Sequence, residues 1–136
     1  KEVTARWPAD ATPVSVDGVP ASLLAEDLDR IADDPPAITR LLGPYDLFLQ
    51  ARDRTRLVTD PARAKSLWPV LGRPGAVLHG GEIAGTWRPR RAGAALRVLV
   101  EPWRELPGPV RDAVGEQAER LAAHRGVRLS GVEFAG

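Results

Sequence analysis

A chain of 136 residues, 43% hydrophobic and 27% charged, has the composition of a folded globular unit and is long enough to bury roughly two-thirds of its unfolded surface. Its formal net charge of +1 gives too weak an overall field for a generally basic nucleic-acid binder, so any contact with a polyanion has to come from a local patch. With no cysteine there is no disulfide or thiolate metal site, in agreement with a reducing cytoplasm, and no apolar run approaches the roughly 20 residues of a membrane span.

The opening "KEVTARWPAD" has no initiator Met and no apolar signal core, and reads as the start of a fragment. In "TPVSVDGVPASLL", Val14 and Val16 alternate with polar neighbours and Asp17-Gly18 separates two short apolar runs, which predicts a hairpin. In "LAEDLDRIADDPP", Leu24, Leu28 and Ile31 share one helical face, and Pro35-Pro36 would stop that helix. "YDLFLQ" alternates Tyr45, Leu47 and Leu49 with Asp46, Phe48 and Gln50, which predicts a strand.

Asp60 followed by Pro61 is a helix start, with Ala64, Leu67 and Trp68 on one face and Pro69 at the stop. A three-stranded antiparallel meander is predicted over 76–101, turning at Gly80-Gly81 and near Ala92-Gly93. In "LPGPVRDAVGEQAERLAAHRG" the stripe Val110, Val114, Ala118 and Leu121 predicts an amphipathic helix that ends at Gly126, with Glu116 and Arg120 as i, i+4 partners. Val127, Leu129, Val132 and Phe134 predict a last strand with a bulge at Gly131. The fold class is α+β, with a mainly antiparallel sheet and two or three packed helices.

Chemistry-bearing constellations are few. There is no Gly-x-Ser-x-Gly elbow and no phosphate-binding glycine loop, and the two histidines, His79 and His124, stand in unlike contexts. Neither catalytic residues, nor a cofactor, nor a metal site is predicted. The acids Glu26, Asp27, Asp29, Asp33 and Asp34 have no histidine nearby and read as a solvated helix start.

What stands out is arginine: all the basic residues except Lys1 and Lys65 are arginine. Such a bias follows from a GC-rich genome, but it also supplies planar donor forks suited to phosphate. One group is Arg52, Arg54 and Arg56, which on an extended segment would line one side; the alternative is an ion-pair network of Arg52 and Arg54 with Asp53. The other is Arg88, Arg90, Arg91 and Arg97 on the hairpin, with no acid between Glu82 and Glu101. Phosphate contact and mere solubility are both open for this group. Trp87 either stacks on a base or covers the sheet.

"RLLGPYDLFLQARDRTRLV", "ARAKSLWPVLGRPGAVLHGGEIAGTWRPRRAGAALRVLVEPW" and "LPGPVRDAVGEQAERLAAHRG" together resemble the C-terminal part of the bacterial winged-helix DNA-binding family that includes the AlkZ-like DNA glycosylases. The resemblance runs from about Val14 to Gly126. Its most specific pieces are Tyr45-Asp46, Arg52-Asp53-Arg54, the "GTW" of 85–87 and the "VEPW" of 100–103. Leu47 stands where the family usually has Pro, and Trp103 where it usually has Phe.

The resemblance implies tandem winged helices followed by a compact β-barrel-like C-terminal domain. Residues 1–36 would be a wing remnant and connecting helix, and residues 37–136 the barrel-like domain. In glycosylase members a Gln-x-Gln or Gln-x-Asp pair in the N-terminal region positions water. Here Gln50 is followed by Arg52 and Gln117 by Glu119, so no catalytic residue carries over. A C-terminal hairpin borders the DNA channel in such enzymes. The implied role is a non-catalytic accessory domain that meets double-stranded DNA through Arg88, Arg90, Arg91 and Arg97, with Arg52, Arg54 and Trp87 nearby. The alternative is a structural or self-association domain that buttresses the winged helices.

Overall fold

The structure is a computed structural model and describes residues 8–31 and 36–136. The chain divides into two compact units, 1–35 and 36–136.

The described part of the first unit is the predicted hairpin. Strands β1 (Ala11–Val16) and β2 (Val19–Leu24) pair antiparallel, with Val16 opposite Val19. Asp17 and Gly18 join them at φ values of 50° and 77°, the positive pair that matches a hairpin's turn to the twist of its strands.

The α-helix predicted from Leu24, Leu28 and Ile31 does not form. Strand β2 runs on to Leu24, which pairs with Ala11, so only Ala25–Arg30 remain, and they close into a 3₁₀ turn with no buried residue. Leu28 and Ile31 are exposed, so there is no apolar face to reward an α-helix. Asp33, Asp34 and the Pro35 of the predicted stop lie outside the described residues.

The second unit is built on five strands in the order β3 (Thr39–Leu42), β4 (Gly75–His79), β5 (Glu82–Ala92), β6 (Ala95–Pro102) and β7 (Arg128–Phe134). The predicted meander is β4-β5-β6, antiparallel throughout. The final strand also forms, but it pairs parallel to β6, and this requires a long crossover. Helix α3 (Gly108–His124) is that crossover. Val110, Val114 and Ala118 of the predicted stripe are buried, with Ala122 in the place expected for the partly buried Leu121, against Val77, Trp87, Leu96, Val98 and Val100, with Leu41, Leu129, Val132 and Phe134 around them. Each fully buried Val contributes about 1.5–3 kcal/mol relative to exposure. Helix α3 packs against β3 and β7, the two outermost strands, so the sheet curls around it as a half-barrel.

The predicted bulge appears where Leu96 pairs with Leu129 but Arg97 with Gly131. Ser130 is the extra residue, and its hydroxyl donates to the Leu96 carbonyl at 3.0 Å.

The other face of the sheet is covered by α1 (Arg54–Leu57) and α2 (Pro61–Leu67) around Leu49, Val58, Leu67 and Ala76. Asp60 caps α2 as predicted, accepting from the N–H groups of Ala62 at 2.7 Å and Arg63 at 3.2 Å. These bonds hold its carboxyl below the ordinary aspartate range, that from Arg63 most strongly.

The strand predicted over "YDLFLQ" is a 3₁₀ turn, Leu47–Gln50, started by Asp46 as it accepts from the Phe48 N–H at 2.9 Å. Strand alternation would put Leu47 and Leu49 on one face, yet Leu47 is 88% exposed and Leu49 fully buried. The pairing partner of β4 is instead the four residues Thr39–Leu42.

Candidate nucleic-acid interface

The arginine ribbon is the β5-β6 hairpin. Its register puts Arg88 opposite Leu99 and Arg90 opposite Arg97 on one face, while Trp87, Pro89 and Arg91 sit opposite Val100, Val98 and Leu96 on the other. Arg88 and Arg90 therefore project together. Arg91 leaves from the opposite face near the tip, where its Nε donates to the Gly93 carbonyl at 3.1 Å. Arg88, Arg90 and Arg91 are exposed, and among the described residues none of them forms an ion pair.

Arg97 differs from the expectation of a ribbon free of carboxylates. Strand β7 places Glu133 beside it, and Nη1 reaches the carboxylate at 2.7 Å. Both side chains are about half exposed, so the pair stabilises by only about 0.2–1 kcal/mol, but it occupies one cation of the ribbon. Glu101 is opposite Thr86 and accepts from its hydroxyl at 3.3 Å.

Trp87 is a core residue, 4% exposed. Its indole N–H donates to the Leu42 carbonyl at 2.8 Å, which ties β5 to β3 across the width of β4. That crossing passes over Gly75, the register partner of Trp87, and a Cβ there would overlap both the ring and the Leu42 oxygen.

Arg52, Arg54 and Arg56 do not lie on an extended segment. Arg54 and Arg56 belong to the single turn α1, and Arg52 precedes it. Among the described residues neither Arg52 nor Arg54 pairs with Asp53. The Arg54 guanidinium lies 5.2 Å from the ring of Trp68, whose own N–H donates to the Leu49 carbonyl. It is a packed cation, in contact with an aromatic face. His79 shares a hydrogen bond of 3.0 Å with the hydroxyl of Thr39, its partner across β3-β4. Among the described residues no cluster of His, Asp and Glu could hold a metal ion, and no helix is long and apolar enough to cross a membrane.

Two further arginines were not singled out by the sequence. Strand β4 begins at Gly75, opposite Trp87, while β5 continues to Ala92. Beyond Trp87, no strand among the described residues pairs with the β4 side of the ribbon. A hollow of about 510 Å³ opens there, bordered by Arg73, Arg88, Arg90 and Arg125 and, among the described residues, by no acid. Arg73 precedes β4 and Arg125 caps the end of α3, so four arginines from three separate stretches of chain border one opening.

Comparison with known proteins gives a family for this architecture. No match was found among curated proteins. Among solved structures, the DNA glycosylase AlkZ of Streptomyces sahachiroi is similar with a TM-score of 0.71 and 25% sequence identity, over 93% of this chain and 34% of that one. The chain thus spans about a third of that protein's length. The family model described as DNA glycosylase AlkZ-like matches residues 1–124, and the chain therefore belongs to the AlkZ-like DNA glycosylase family.

Proposed function

We propose that this chain is a non-catalytic DNA-binding domain of a winged-helix DNA glycosylase-like protein, and that it meets the phosphate backbone of double-stranded DNA through Arg88, Arg90 and Arg91. The observation that carries this is the exposed, unpaired state of those three cations on a rigid hairpin, in a chain whose family acts on DNA by its name. Arg97 contributes less than its neighbours, because Glu133 neutralises it. Arg54 serves packing first, its guanidinium lying on the Trp68 ring, and Arg52 is exposed just before that turn; Trp87 holds the ribbon in place and does not stack on a base. The β1-β2 hairpin is read as the wing remnant of a preceding winged helix. The role belongs in the cytoplasm, where the cysteine-free composition is at home.

If about three phosphates are neutralised, log affinity for duplex DNA falls with log salt at a slope of about −3, and the triple variant Arg88→Ala, Arg90→Ala, Arg91→Ala in the full-length protein flattens that slope. An unchanged slope in the triple variant removes the proposal. A structural role has one observation in its favour: Tyr45, Leu47, Val70 and Leu71 are all more than three-quarters exposed, and a partner surface would cover them. In that case the triple variant binds DNA normally, while polar substitutions at Val70 and Leu71 change the oligomeric state or the stability of the full-length protein.

A further inference from the structure

We propose that the hollow between Arg73, Arg88, Arg90 and Arg125 is a seat for a single phosphate group. It deepens the DNA reading, and rests on it only for where the phosphate comes from.

The hollow exists because of the unequal strand lengths. Before β4 begins at Gly75, the loop leading into it and the end of α3 border the flank of β5, and each brings one arginine. Buried Pro74 and Trp87 line it from the protein side. Four like charges around one opening repel each other, and among the described residues none of them has a carboxylate partner. The arrangement is relieved by a multivalent anion, and a tetrahedral phosphate accepts from several guanidinium forks at once.

Two of the forks are already oriented. Arg88 donates through Nη1 to the carbonyl of Gly72, which leaves its remaining N–H groups for a ligand. The Arg73 guanidinium rests 5.8 Å from the ring centroid of Tyr45. Arg125 has a particular task. Its backbone N–H is taken by carbonyls of the last turn of α3, at Leu121 and Ala122, and that helix end carries partial negative charge. A phosphate is tolerated there only because the Arg125 side chain supplies the opposing charge.

The chemistry is that of a phosphate group, whether an internal diester of a DNA strand or free phosphate. The test uses Arg73→Ala and Arg125→Ala, both outside the hairpin, with Arg128→Ala as a control. Arg128 is exposed and does not line the hollow, so it removes the same charge. Affinity for a duplex is measured against salt, and inorganic phosphate is added as competitor beside chloride of equal ionic strength. Each hollow variant is expected to weaken duplex binding about tenfold, against less than twofold for the control, and to flatten the salt slope by about one.

If phosphate competes specifically with the duplex, and this is lost in Arg73→Ala, the seat accepts the free ion as well. If only the duplex responds, the seat is for the backbone diester. If phosphate binds and depends on Arg73 while duplex affinity is unaffected, the seat stands as a site for free phosphate and not for DNA, and the DNA reading is decided by the hairpin triple variant alone. If Arg73→Ala and Arg125→Ala match Arg128→Ala in both measurements, the seat is overturned, even where the hairpin triple variant still abolishes DNA binding.

Discussion

Replacing Gly75 with alanine tests the packing that holds the ribbon in place. The added methyl would stand 2.5 Å from Cε2 of Trp87 and also overlap the indole nitrogen and the Leu42 carbonyl. The ring is 4% exposed and cannot swing outward without leaving the core. The strands must part or the indole must tilt, and either change breaks the 2.8 Å bond from Trp87 to Leu42. Overpacking costs about 1–3 kcal/mol, and a buried N–H left without a partner about 1–3 kcal/mol more.

Against this, alanine restricts the unfolded chain and returns about 0.4–1 kcal/mol, and Gly75 is not among the residues with positive φ. The net loss is about 2–4 kcal/mol, which for a unit of this size lowers Tm by about 10–25 °C. Thermal unfolding followed by far-UV circular dichroism and tryptophan fluorescence reads it directly. In the background of Trp87→Phe, whose single ring lacks the indole nitrogen and the fused bicycle, the penalty shrinks, so the two substitutions are less than additive. A Tm within about 2 °C of the parent for Gly75→Ala would refute the close approach and the hydrogen bond on which it rests.

Leu49→Ala is expected to destabilise by about 2–5 kcal/mol and Leu47→Ala by no more than about 0.5 kcal/mol, measured by urea unfolding; equal losses would restore a strand at 45–50. Asp60→Ala lowers Tm at neutral pH by removing the cap of α2. Because the folded carboxyl titrates below its unfolded value, the difference between parent and variant is fully present above roughly pH 4 and fades as the pH falls through the depressed folded value. A difference that grows on acidification would contradict the cap.

Local signals carried much of the architecture. Asp17-Gly18, Asp60-Pro61, the glycine turns of the meander and the 3.6-residue stripe of α3 each act within a few residues, so the chemistry of the turn or cap decides them without help from the rest of the chain. The failures came where a distant partner decides. Alternation in "YDLFLQ" imitates a strand, but the edge of β4 is taken by Thr39–Leu42, and an Asp46 cap turns the chain instead. The stripe of Leu24, Leu28 and Ile31 imitates a helix, but β2 claims Leu24 first.

The candidate site divides in the same way. That Arg88 and Arg90 share a face follows from period two along a strand. That Glu133 neutralises Arg97 depends on a parallel pairing across 36 residues. Arg73 and Arg125 carry no local signal at all; only the point where β4 begins and the position where α3 stops bring them together.

Strand β7 has a practical consequence for anyone trimming this protein. The residues matched to the family end at 124, at the last residue of α3, yet the strand after them supplies Val132 and Phe134 to the apolar interior and hydrogen-bonds along β6. Cutting there would strip a layer from the half-barrel and leave the backbone donors and acceptors of β6 as an open template for other chains, so aggregation of the shortened product would reflect the choice of boundary rather than any weakness of the domain.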